Sequence, residues 1–96
     1  MEDIKLKLRA FAQERDWLEY HTKENLAKSI VIEASELLLN YQWGSVEKDV
    51  LNVKEELADI MIYSIMLADK YGFDIKEMIE EKIEKNAIKY PAIKSK

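Results

Sequence analysis

Ninety-six residues, 48% of them hydrophobic and 35% charged, make one small domain, 1–96, near the lower size at which a chain closes its own core. Two Gly, one Pro and no Cys exclude a disulfide framework, a thiolate metal site and the frequent turns an all-β fold needs. A net charge of −4 speaks against binding polymeric nucleic acid. The longest apolar run, residues 60–68, is too short to cross a membrane, so a soluble cytoplasmic protein is expected.

The pattern predicts four helices. The first covers about 2–16, with Ile4, Leu8, Phe11 and Ala12 recurring on one face. "WLEYHTKEN" reads as a connection, in which Thr22 can cap a second helix that runs to about Gln42 and stops at Gly44. Ser45 is the expected cap of a third helix, which carries Glu47 in its first turn and ends at Gly72 after about Tyr71. Asp74 and Glu77 form a capping-box variant that opens a fourth helix, expected to bury Ile75, Met78, Ile79 and Ile83 and to end before Pro91. Short connections between four helices predict an all-α four-helix bundle. A chain this small and apolar is expected to complete its core as a dimer or tetramer.

Two of these helices carry narrow polar stripes. At about 100° per residue, Asn25, Ser29, Glu33, Glu36 and Asn40 align on the second helix, with apolar residues over most of the remaining circumference. On the third, Asn52, Glu56, Asp59 and Tyr63 align in the same way. Each acidic pair alone fits a solvated face better than a functional site. If the two helices pack antiparallel, however, four carboxylates converge. At 5–6 Å and an effective dielectric near 20, each like-charge pair then costs about 3 kcal/mol unless a cation or a proton intervenes. Ligands that are oxygen only suit a hard cation, Mg²⁺ first and Mn²⁺ second.

Lys82, Asn86 and Lys89 share one face of the fourth helix, either as phosphate contacts or as an ordinary solvated lysine face. Trp17, Trp43 and Tyr63 are candidates for stacking on a nucleobase, with core packing as the alternative. His21, the single histidine, and Asn25, on the Glu33 stripe, are further candidate contacts. Tyr90 either caps a pocket or packs the end of the fourth helix.

"IEASELLLNYQW", "EELADIMIY" and "EKIEKNAIKYP", with "FAQERDW" and "HTKENL", resemble the all-α nucleoside triphosphate pyrophosphatases, the MazG-like enzymes, and in particular their dCTP pyrophosphatase branch. The signature of that family, E-x-x-E, a spacer and E-x-x-D, is matched by Glu33, Glu36, Glu56 and Asp59, with residues 37–55 between its halves. Ile32 stands where many relatives carry a further Glu, and Ala87 stands where a basic residue is frequent. The resemblance implies Mg²⁺-dependent hydrolysis of a (deoxy)nucleoside triphosphate to the monophosphate and pyrophosphate, as housekeeping of the nucleotide pool. It implies that Glu33, Glu36, Glu56 and Asp59 hold the metal. It also implies that Trp17, Trp43 and Tyr63 surround the base, and that Lys82 and Asn86 meet phosphate or sugar. Glu36 is the chosen general base. Two other readings are a phosphoribosyl-ATP pyrophosphohydrolase and a non-catalytic helical interaction module.

Overall fold

A computed structural model describes residues 1–93, which form four α-helices and no strand. α1 is Glu2–Glu14, α2 is Lys23–Leu38, α3 is Val50–Lys70 and α4 is Ile75–Lys89. A 3₁₀ turn, Leu39–Tyr41, extends α2.

The helix ends follow from local chemistry. Thr22 Oγ1 accepts the Asn25 N–H at 3.1 Å and opens α2, while the Asp74 carboxylate accepts the Glu77 N–H at 2.9 Å and opens α4. α3 begins at Val50, later than expected. Asp49, not Ser45, is its cap, accepting the N–H groups of Leu51 at 3.0 Å and Asn52 at 3.4 Å. The Asn40 side chain accepts the Asp49 N–H at 3.1 Å and donates to Asn52 at 2.8 Å, which fixes the start of the helix there and makes residues 42–49 a folded connection.

α1 and α3 close in the same way. After α1, Asp16 adopts φ +54°, and the Trp17 N–H reaches the Ala12 carbonyl at 2.9 Å. After α3, Gly72 adopts φ +74°, and the Phe73 N–H reaches the Ala68 carbonyl at 3.0 Å. Both are left-handed caps that satisfy otherwise orphaned carbonyls and turn the chain sharply.

α2 and α3 form the main pair, and α1 lies across the far half of α3. Arg9 grips Asp69 with two donors, its Nε at 2.7 Å, and the buried Lys5 donates to the Phe73 carbonyl at 3.2 Å. The interior is small. Ile65, Ala68 and Ile75 cluster with Leu8 against them, while Ala12 and the fully enclosed Leu26 stand apart. Truncating a leucine enclosed like Leu26 typically costs about 2–5 kcal/mol.

α4 docks only through its first turn. Ile75 is buried as expected, but Met78, Ile79 and Ile83 are exposed, Ile83 at 60%. The outer face of α2 is also open, with Val31 65% and Leu38 68% exposed. These helices therefore do not close a four-helix bundle within one chain. The radius of gyration is 16.6 Å, against about 13 Å for a compact chain of this length.

Candidate active site

Pairing α2 with α3 turns the two acidic stripes toward each other. Glu33 from α2 meets Glu56 and Asp59 from α3, and one carboxylate oxygen from each lies within 4.8 Å of the other two. All three side chains are half-buried, whereas Glu36, one turn beyond Glu33, is exposed and outside this tight triad.

The electrostatic consequence falls on Glu33. Its carboxyl is raised to about 7, first by the adjacent Glu56 carboxylate, then by burial and by Glu36. Oε2 of Glu56 is buried without a hydrogen-bond partner among the described residues. A buried acceptor in that state costs about 1–3 kcal/mol, which a positive ligand would recover. Converging hard oxygens and an orphaned acceptor fit a divalent cation bound to oxygen. Such a cation would be held by Glu33, Glu56 and Asp59.

Beside Asp59 opens a cavity of about 400 Å³ walled by Phe11, Trp17, His21 and Tyr63, with Lys7 also in its lining. Its rings form a chain. Phe11 and Trp17 meet edge to face at 5.4 Å, Trp17 and His21 lie 5.7 Å apart, and His21 and Tyr63 meet edge to face at 6.3 Å. Burial, then the charge of Lys70, pulls His21 below the ordinary imidazole value, so it is neutral at pH 7. Tyr63 is pushed up by burial first and then by Glu33, Asp59 and Glu36, which keeps its hydroxyl protonated.

Trp17, His21 and Tyr63 are thus brought together next to the acids. Phe11 and Lys7 join them, although α1 periodicity reads Phe11 as core and gives Lys7 no role. Their i, i+4 spacing is the only sequence signal that links them. Asn25 lines neither this cavity nor the acids; its amide donates to the Tyr20 carbonyl at 2.9 Å. Trp43 is 90% exposed on the connection after the 3₁₀ turn. Lys82, Asn86, Lys89 and Tyr90 are exposed on or just after α4 and line no cavity at the carboxylates. The Lys89 ammonium lies 5.3 Å from the Tyr90 ring instead. One chain does not bring these five to the acids: Trp43 stands exposed on its connection, and α4 leaves α3 after its first turn.

Residues 28–96, a span that includes both acidic half-motifs, match the family model described as MazG-like. The chain belongs to the MazG-like family. The resemblance read from the acidic signature is borne out. This family member is 33% identical over 100 residues to dCTP pyrophosphatase 1 of Mus musculus, covering 95% of this chain. It is also 33% identical over 101 residues to dCTP pyrophosphatase 1 of Homo sapiens, covering 96% of this chain. The match spans 59% of the length of each of these relatives. The fold is shared with a crystal structure of a pyrophosphatase from Archaeoglobus fulgidus DSM 4304. That match has a TM-score of 0.88 and 40% identity over 96% of this chain and 93% of the other. No helix among the described residues is long and apolar enough to cross a membrane.

Proposed function

We propose that this protein is a divalent-cation-dependent nucleotide pyrophosphohydrolase that cuts a (deoxy)nucleoside triphosphate into its monophosphate and pyrophosphate. The observation that carries this reading is the convergence of Glu33, Glu56 and Asp59 within 4.8 Å, beside an aromatic cavity that shares Asp59. The names of the relatives, dCTP pyrophosphatase 1 and a pyrophosphatase, support the same chemistry.

When bound, Mg²⁺, with Mn²⁺ as the substitute, would neutralise the polyphosphate and polarise a phosphoryl oxygen. Glu33, Glu56 and Asp59 supply the hard oxygens, and Glu36 completes the acidic set. Being more exposed, Glu36 is also the general base: it takes the proton of the attacking water. The water oxygen bonds to phosphorus, the bridging P–O bond between the α- and β-phosphates breaks, and its electron pair leaves with pyrophosphate. No covalent enzyme intermediate is needed. Trp17, Tyr63 and neutral His21 wall the base, and Asn25 holds the turn that carries Trp17 and His21. Trp43, Lys82, Asn86, Lys89 and Tyr90 contact substrate from a second subunit of a dimer or tetramer. The role that fits is removal of surplus or non-standard nucleotides from the cytoplasmic pool.

The test is pyrophosphate release from a panel of triphosphates, with phosphoribosyl-ATP included, at saturating and zero Mg²⁺. Activity should require the cation and fall by at least about a hundredfold in Glu36→Gln and Asp59→Asn, with folding retained. Preference for phosphoribosyl-ATP would favour that related enzyme. Turnover unchanged in both variants would overturn the role given to these acids, and no turnover with any substrate would leave the interaction module.

A further inference from the structure

A second cavity, of about 500 Å³, opens on the other side of the carboxylates, with Glu36, Asn40, Gln42, Lys48, Asn52 and Glu56 in its lining. The acids therefore stand between two unlike spaces. The one at Asp59 is aromatic, and the one at Glu36 and Glu56 is lined with amides and charges.

This polar wall is built, not draped. Asn40 is buried, and it organises the connection between the 3₁₀ turn and α3. Its carbonyl accepts the Lys48 N–H at 2.9 Å, and its side-chain oxygen accepts the Asp49 N–H at 3.1 Å. Its amide nitrogen donates to Asn52 Oδ1 at 2.8 Å, tying the connection to the first turn of α3. The Asp49 carboxylate is occupied as the α3 cap. Lys48 is the one basic residue lining this cavity among the described residues. It forms no ion pair among them, although Glu36, Asp49 and Glu56 share the lining.

Resting on the pyrophosphohydrolase reading, we propose that this cavity receives the two phosphates that leave as pyrophosphate, with Lys48 as their counter-charge. A nucleotide would then lie across the acids in one direction, base toward Trp17 and Tyr63 and phosphate tail toward Lys48. The contrast between the two linings sets that direction. Lys7 lines the aromatic side too, but that wall has rings and no amide and suits a base. Only the polar side joins an ammonium to amides, which suit anionic oxygens. Lys48 is the binding residue, and Asn40 is a positioning residue that fixes the backbone on which Lys48 stands.

The experiment is calorimetric titration of inorganic pyrophosphate with Mg²⁺, and separately of a nucleoside monophosphate, into the full chain. Wild type, Lys48→Ala and Lys48→Arg are compared, together with steady-state kinetics on a triphosphate. Lys48→Ala should weaken pyrophosphate about tenfold, as loss of one charge-assisted contact does, and leave monophosphate affinity unchanged. Its KM for the triphosphate should rise more than its kcat falls, and Lys48→Arg should restore most of the pyrophosphate affinity. Active enzyme whose pyrophosphate affinity stays within twofold in Lys48→Ala, or that binds no pyrophosphate, overturns the assignment and leaves the reaction standing. A wild-type chain with neither pyrophosphate binding nor triphosphate turnover removes both.

Discussion

Glu33 shows what one residue gains and loses by its placement. Its carboxyl is lifted from 4.5 to about 7, with Glu56 as the largest cause. Between those values the folded protein keeps a proton that the unfolded chain has released, so cation-free stability falls as pH rises through this window and levels off above about 7. A cation competes with that proton. Thermal melts should therefore show a larger Mg²⁺-induced rise in Tm at pH 8 than at pH 5.5, and Glu33→Gln should flatten the cation-free pH dependence. An equal Mg²⁺ effect at both pH values would argue against binding at the triad. Asp69 behaves in the opposite sense. Arg9, through its hydrogen bond and then its charge, holds Asp69 below the usual carboxylate range, so this tie survives until strongly acidic pH.

Two helix ends carry opposite liabilities in one geometry. Gly72 occupies φ +74° with open space where a Cβ would stand, so Gly72→Ala meets no clash but should lose about 1 kcal/mol from backbone conformation alone. Asp16 holds φ +54° in the equivalent place, and Asp16→Gly should gain up to about 1 kcal/mol. Denaturant midpoints of the two variants should move in opposite directions; movement in the same direction contradicts the shared cap. Much at this scale was legible. The Thr22 and Asp74 caps and the stop at Gly72 are local chemistry, and the stripes of Glu33 and of Glu56 with Asp59 are helical periodicity. The start of α3 was not, because Ser45 and Asp49 are both competent caps. The choice depends on Asn40 reaching two backbone and one side-chain partner beyond it, which no local pattern records.

The whole chain reads as a fold waiting for a neighbour. Its radius of gyration of 16.6 Å and the exposed faces of α2 and α4 leave too little interior for a free-standing core. We expect Tm to rise with protein concentration and sedimentation to report a dimer or larger; a concentration-independent monomer would remove the proposed second-subunit roles of Trp43 and Lys82. The same openness limits how far the site can be read from one sequence. Periodicity shows that Met78, Ile79 and Ile83 share a face, but it cannot say which chain that face meets. Lys82 and Asn86 are therefore recognisable as a motif without being placed at the acids. The triad has a mechanical consequence too. Because its oxygens come from both α2 and α3, a metal seated there rivets the two helices across their seam. Chelation should speed amide hydrogen exchange around residues 30–36 and 53–60 while the Arg9–Asp69 anchorage stays protected. Exchange unchanged around these residues would mean that the ion serves the substrate alone.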